Sequence, residues 1–282
     1  MAAGRNRVVP ALLVFVGWLL VTGLFDRVWQ AAGGQRSPGL PMVSWAPPNY
    51  IAAIVFLGAA IVAFRWWDVG LKAPRSLRSL LLLWFPGLYV VVFLGILVFI
   101  GLPPAGTVLP ILVATALAGI SEELACRGVL YQGLRSRLSV WPAILFSTAL
   151  FGAGHLANGF VLGNFAIAGV QSIAAFMTGI SFMAIRIRTG SLYPGMVLHG
   201  LWDFSLLTAA SALLQHVDLG SSSGAGGPVP IAALLLPVLG VLPNFLYGLF
   251  LLRHVARDER AATDHPAAVP YPPAGALPTS MP

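Results

Sequence analysis

Long apolar segments alternate with short polar ones along most of the chain. Eight of these segments are close to the length of about 17–25 residues that a helix needs to cross the hydrocarbon core of a bilayer. They lie near residues 8–26, 48–66, 80–102, 107–131, 141–158, 162–186, 191–214 and 229–253. The pattern predicts an all-α fold, a polytopic membrane helical bundle with about eight transmembrane helices.

The composition supports this interpretation. The 282 residues are 58% hydrophobic and 9% charged, whereas soluble domains carry about 25% charged residues. The mean hydropathy is +0.86. The formal net charge of +7 comes from small basic groups between apolar segments, a spacing that favours membrane lipid rather than nucleic acid as the partner.

Basic residues occupy alternate connections between the predicted spans. The N-terminus, the connections after spans two, four and six, and the segment after span eight carry Arg5, Arg7, Arg65, Lys72, Arg75, Arg78, Arg135, Arg137, Arg186, Arg188, Arg253, Arg257 and Arg260. The remaining connections hold only Arg27 and Arg36. By the positive-inside rule, this alternation predicts that the N and C termini are both cytoplasmic.

The same pattern divides the chain into four parts. Residues 1–106 hold spans one to three, with an outer loop at 27–47, and residues 107–214 hold spans four to seven. Residues 215–260 form a Gly/Ser-rich outer loop followed by span eight. The Ala/Pro-rich tail, 261–282, is expected to be disordered.

Few ionisable side chains fall inside the apolar spans away from their ends. The set contains three acidic residues, two histidines and one arginine: Glu122, Glu123, Asp203, His155, His199 and Arg127. A carboxylate at mid-membrane costs about 2.5–3.5 kcal/mol on insertion scales, so such groups normally face a protein interior or a water-filled cavity. Their occurrence on three spans predicts a single buried polar site.

Helix geometry separates the two adjacent glutamates. Arg127 lies four residues after Glu123, so both side chains share one helix face and are expected to pair. Glu122 is rotated by about 100° and lacks such a partner, which leaves it free to act as a general base. Asp203 follows His199 by four residues and can either accept from it or face a substrate.

Structural interpretations of the same residues remain open. A Glu–Arg pair one turn apart can simply hold its span against neighbouring helices. A lone intramembrane histidine is often a hydrogen-bonding group between helices.

Three spaced motifs occur in order: Glu122-Glu123-x-x-x-Arg127, Phe151-x-x-x-His155 and His199-x-x-x-Asp203. The strings ISEELACRGVLYQGLRSR and TGSLYPGMVLHGLWD surround the first and the last motif. Over residues 107–214 this arrangement resembles the CAAX-protease and bacteriocin-processing (CPBP, or Abi) family of intramembrane endopeptidases.

The resemblance implies a helical bundle with a polar cavity that opens toward the cytoplasm. In such a site Glu122 would activate water with help from His155, and Glu123 and Arg127 would orient that pair. His199 and the residue four positions later would stabilise the oxyanion.

The last motif departs from the family pattern, which often ends in Asn. An Asn amide can donate a hydrogen bond, whereas the ionised carboxylate of Asp203 only accepts. An oxyanion role for Asp203 therefore requires a protonated carboxylic acid, which is physically feasible in a buried site. The alternative is that Asp203 orients His199.

Zinc is an open alternative for the cofactor. Glu122, His155 and His199 could supply a His₂Glu set with water in the fourth position, although the chain contains no HExxH motif. The resemblance favours water activated by glutamate, so no obligatory cofactor is predicted.

The predicted function is that of an intramembrane endopeptidase, a peptide hydrolase. Its substrate would be a peptide or protein, with or without a lipid group, that reaches the cavity from the membrane or the cytoplasm. Fifteen Arg against one Lys suggests a GC-rich genome and hence a bacterial plasma (inner) membrane.

Two other functions stay open. Because of Asp203, the chain could also be a non-catalytic membrane interaction or immunity protein on the same fold. A proton-coupled transporter could relay protons through Glu122, Glu123 and His155, but the second polar cluster expected of a repeat-built transporter is absent from the sequence.

Overall fold

Helices dominate the computed structural model, which describes residues 6–34, 36–37, 40–44, 48–216 and 231–264. The α-helices are α1 (Val8–Ala31), α2 (Pro48–Phe64), α3 (Trp84–Ile100), α4 (Ala105–Glu123), α5 (Tyr131–Arg135), α6 (Val140–Gly154), α7 (Gly159–Leu162), α8 (Phe165–Thr189), α9 (Tyr193–His216), α10 (Ile231–Leu252) and α11 (Val255–Asp264). Two 3₁₀ turns, Leu77–Leu83 and His155–Asn158, and a π-helical segment, Leu124–Leu130, adjoin them. The predicted all-α bundle is confirmed.

Seven helical segments within the described residues are long and apolar enough to cross a bilayer. They are Val8–Ala31, Leu77–Ile100, Ala105–Arg135, Val140–Leu162, Phe165–Thr189, Tyr193–Leu214 and Leu234–Ala261. The protein is therefore an integral, multi-pass membrane protein. Helix α2 is apolar but has only 17 residues, at the lower end of the range for a span, so an eighth crossing stays a prediction.

The segment between α1 and α2 is more regular than the expected outer loop at 27–47. Helix α1 continues to Ala31, and Gly33, with a φ of 83°, then occupies a left-handed conformation that glycine adopts without strain. Strands β1 (Arg36–Ser37) and β2 (Leu40–Ser44) follow and pair antiparallel.

Side-chain contacts place the predicted basic connections together at one end of the bundle. Three ion pairs link them: Arg7 with Asp68 (2.7 Å), Arg188 with Asp258 (2.8 Å), and Arg135 with Glu259. The amide of Gln132 also donates to the backbone carbonyl of Asp68. The basic segments thus share one end, as their alternation in sequence requires. That this end faces the cytoplasm remains a prediction.

The C-terminal part contains more helix than expected. Helix α11 extends to Asp264, into the segment predicted to be a disordered tail, and Glu259 accepts a hydrogen bond from the Val140 backbone N–H (3.1 Å) at the start of α6. A carboxylate is favourable at a helix N-terminus, so this contact anchors α11. Residues 265–282 of the predicted tail and residues 217–230 of the predicted Gly/Ser-rich loop lie outside the described residues.

Helix α8 has well-defined ends. The Asn164 side chain accepts hydrogen bonds from the backbone N–H groups of Ala166 (3.0 Å) and Ile167 (3.1 Å), a favourable N-terminal cap. Gly190, with a φ of 72°, ends the helix in the left-handed conformation.

Helices α4 and α9 approach closely because small residues meet at their crossing. A Cβ atom added to Gly119 would lie 2.8 Å from the Gly200 backbone nitrogen and 2.9 Å from the Met196 carbonyl oxygen. Gly119 precedes the two glutamates by one turn, and Gly200 directly follows His199. The crossing therefore brings the first and last motifs together.

We predict that Gly119→Ala destabilises the protein by roughly 1–3 kcal/mol, because the clashing atoms belong to backbone that cannot move aside. Gly58→Ala on α2 is the matched control, since no described atom lies within 4 Å of the equivalent Cβ position there. Thermal unfolding in detergent should show a lower midpoint for Gly119→Ala and an unchanged or higher one for Gly58→Ala. Equal midpoints would contradict the proposed tight crossing.

Candidate active site

The first motif lies where α4 passes into the π-helical segment Leu124–Leu130. The Ser147 hydroxyl, on α6, donates a hydrogen bond to the carbonyl oxygen of Cys126, which lies within this segment (2.7 Å). Such π-helical insertions frequently occur at functional sites. The hydrogen bond from Ser147 satisfies a buried carbonyl where the regular α-helical pattern is interrupted.

Glu123 and Arg127 form the ion pair that their spacing predicts. Arg127 Nη1 lies 3.1 Å from Glu123 Oε1, and both side chains are fully buried. Arg127 Cζ also lies 4.1 Å from the centroid of the Phe151 ring and 5.7 Å from that of Phe182. The guanidinium is thus stabilised by a carboxylate and by two aromatic rings.

His199 binds the same carboxylate from α9. Its Nδ1 lies 3.0 Å from Glu123 Oε1, and because an ionised carboxylate only accepts, the imidazole N–H is the donor. The spacing in the sequence allowed a contact between His199 and Asp203 as one of two alternatives, but it did not predict this one. Glu123 therefore connects the first and last motifs.

The other nitrogen of His199 faces two further carboxylates. His199 Nε2 lies 3.6 Å from Glu122 Oε2 and 3.5 Å from Asp203 Oδ2, distances longer than a good hydrogen bond. The side chains of Glu122 and Asp203 are 16% and 32% exposed. Glu122 therefore retains some exposed surface, in contrast to the fully buried Glu123.

His155 occupies the first position after α6, at the edge of the cluster. Its Nδ1 donates to the Phe151 carbonyl oxygen (3.0 Å), and its ring meets the Phe151 ring edge-on with centroids 4.8 Å apart. Its Nε2 is then the nitrogen that can accept a proton. Among the described residues, no hydrogen bond or ion pair joins His155 to the carboxylates or to His199, so Phe151 is its link to the site.

The middle of the chain is similar to a known protease family. Residues 104–205 match the family described as "Type II CAAX prenyl endopeptidase Rce1-like", an interval that contains all six candidate residues. Residues 104–205 are therefore similar to this protease family. The resemblance to the CPBP, or CAAX-protease, family that the motifs indicate over 107–214 is confirmed.

A second comparison concerns a curated protein of Escherichia coli. The chain is similar to the "Uncharacterized 24.3 kDa protein" of Escherichia coli, with 25% identity over 164 residues, which cover 52% of this chain and 72% of that protein. No solved structure matches the chain.

The alternative zinc set does not form a compact group of ligands. Within the described part of the chain, no three His, Cys, Asp or Glu side chains are grouped as a metal site would require. A zinc ion held by Glu122, His155 and His199 stays a sequence-based alternative without support from this geometry.

Several residues that shape the candidate site were not predicted from the sequence. The ring of Phe182, on α8, stacks on that of His199 with centroids 4.8 Å apart. Gly195 and Gly179 allow close approach: an added Cβ would lie 3.0 Å from Glu123 Oε2 and 2.9 Å from Arg127 Nη2, respectively. An apolar side chain or a glycine inside an apolar span carries no signal that sets it apart.

We predict that Glu123→Gln lowers stability by about 3–5 kcal/mol, because it leaves the buried Arg127 charge without its partner. Glu122→Gln should change stability by less than about 1 kcal/mol, since that side chain is partly exposed and makes only long contacts. Chemical or thermal unfolding of both variants in the same detergent provides the measurement. Greater destabilisation by Glu122→Gln would contradict this assignment of the two glutamates.

Proposed function

We propose that this protein is an intramembrane endopeptidase in which Glu122 activates the water that hydrolyses a peptide bond. The position of Glu122 is the observation that best supports this proposal. It is partly exposed and lies 3.6 Å from His199 Nε2, whereas its neighbour Glu123 is fully buried and already bound to Arg127 and His199.

In the proposed reaction, Glu122 takes a proton from water as the oxygen attacks the carbonyl carbon of the substrate. The C–N bond then breaks, and the leaving amine takes a proton from Glu122. General acid–base catalysis of this kind typically contributes about 10²–10⁴-fold to the rate. His155 would assist through Nε2, the nitrogen left free by its hydrogen bond to Phe151.

His199 would stabilise the oxyanion through Nε2. Because Nδ1 already donates to Glu123, a neutral ring would have no proton on Nε2 and could only accept there. The proposal therefore requires His199 to carry both protons. The neighbouring carboxylates of Glu122, Glu123 and Asp203 supply compensating negative charge.

The substrate class follows from the family and from the location of the site. We propose a peptide or protein substrate that enters from the membrane or the cytoplasm, with or without a prenyl or other lipid group. The protein would lie in a bacterial plasma membrane with both termini in the cytoplasm, and it would need no obligatory metal.

We expect Glu122→Gln to lower kcat by at least about 10²-fold, because the amide cannot take a proton from water. The assay uses protein in liposomes with quenched fluorescent peptides that end in a CAAX-type sequence, each with and without a farnesyl group. Asp68→Asn is the matched control, since this carboxylate is 54% exposed and pairs with Arg7 at the end of the bundle, and its activity should match the wild type.

Two outcomes of that assay would overturn the proposal. Full activity in Glu122→Gln would exclude Glu122 as the base. Absence of cleavage by the wild type on every peptide would instead favour the non-catalytic interaction protein. Metal analysis of the same preparations, with and without a chelator, tests whether activity needs zinc.

We predict that Asp203→Asn retains activity within about tenfold of the wild type. The amide keeps an oxygen near His199 Nε2, and it adds a donor for the oxyanion while removing a negative charge. Asp203→Leu should lose more activity than Asp203→Asn, because it keeps neither polar atom. A loss of about 10²-fold or more in Asp203→Asn would show that the carboxyl group itself is required.

A further inference from the structure

Phe182 stacks on the imidazole of His199, although it belongs to none of the three motifs. The ring centroids lie 4.8 Å apart and the ring planes differ by 16°. Phe182 lies on α8 and is only 2% exposed, so tight packing restricts the movement of its ring. The Phe182 ring thus packs nearly parallel to one face of the His199 imidazole.

The orientation of His199 matters because its two nitrogens face different partners. Nδ1 lies 3.0 Å from Glu123 Oε1, whereas Nε2 lies 3.5–3.6 Å from the carboxylates of Asp203 and Glu122. Rotation of an imidazole about χ2 has broad, roughly two-fold minima. A single hydrogen bond to Glu123 leaves the ring free to tilt about that bond, and with acceptors on both sides a rotated ring would still find a partner.

Aromatic contacts remove this remaining freedom. Phe182 covers one face of the imidazole, and the Phe151 ring approaches it edge-on, with centroids 6.1 Å apart and an angle of 86°. The stacked ring opposes tilting of the imidazole plane, which the hydrogen bond to Glu123 does not oppose. The stacking on Phe182 and the hydrogen bond to Glu123 together define the direction in which His199 Nε2 points.

We propose that Phe182 is a positioning residue of the active site, which holds the His199 ring so that Nε2 points at the space between Glu122 and Asp203. The effect on catalysis rests on the proposed function, because only there does His199 act on the oxyanion. A displacement of about 1 Å at a reacting group can cost about 10²-fold in rate.

A spectroscopic experiment tests the geometry independently of any activity. The protein is labelled with ¹⁵N-histidine, and the His199 resonances are identified by their absence in His199→Gln. We expect the wild type to show a protonated Nδ1 in one fixed environment. Phe182→Leu and Phe182→Met, which lack the aromatic face, should broaden or shift these resonances, whereas Phe182→Tyr, which keeps the ring, should preserve them.

Phe15→Leu serves as the matched control for loss of a buried ring. Phe15 lies on α1, is 3% exposed and contacts the Trp18 ring at 5.5 Å. Phe15→Leu should lower the stability of the protein without changing the His199 resonances. If a folded Phe182→Leu or Phe182→Met variant showed the same His199 resonances as the wild type, the proposal would be overturned. Using both variants guards against failure of one to fold.

Kinetics on a fluorescent peptide that the wild type cleaves provide the second measurement. We expect Phe182→Leu to lower kcat by about 10-fold to 100-fold with KM within twofold, and Phe15→Leu to leave both unchanged. Equal kinetic effects of the two variants would mean that Phe182 contributes only packing. If the wild type cleaves no peptide, the proposed function fails, but the His199 resonances still decide whether Phe182 positions the ring.

Discussion

Glu123 Oε1 lies 3.1 Å from Arg127 Nη1 and 3.0 Å from His199 Nδ1, in a part of the bundle where neither Glu123 nor Arg127 has exposed surface. A charge at such depth is costly unless it is paired and hydrogen-bonded. The carboxylate therefore holds α4 and α9 at a fixed separation. The same contacts occupy Glu123, so that Glu122, one residue earlier and about 100° away around the helix, is the glutamate to which we assign the proposed reaction.

Glycine makes this arrangement sterically feasible. Gly119 and Gly200 let the backbones of α4 and α9 approach, and Gly195 leaves room for the other oxygen of Glu123. In a membrane the apolar surfaces of helices gain little from leaving lipid, so close packing and interhelical hydrogen bonds drive their association. The small residues thus allow the short distance between α4 and α9 that the contacts of the buried carboxylate require.

The sequence predicts the features that depend on local periodicity. The apolar segments predict the spans, and the four-residue spacing predicts the Glu123–Arg127 pair. Contacts between distant helices leave no such trace: His199 is 76 positions from Glu123, and their pairing depends on how α4 and α9 cross. Phe182 is one apolar residue among many on α8, and only tertiary packing distinguishes it from its neighbours.

The charge balance bears on Asp203, the residue that departs from the family pattern. Before the reaction, the carboxylates of Glu122 and Asp203 both face His199 Nε2. In the proposed reaction, Glu122 takes a proton from water as the oxyanion forms, so one negative charge moves from Glu122 to the oxyanion and none is added. Asp203 then repels the oxyanion in place of Glu122, so its cost depends mainly on the difference between the two distances. A carboxylate at this position is therefore compatible with hydrolysis, even though it cannot donate to the oxyanion.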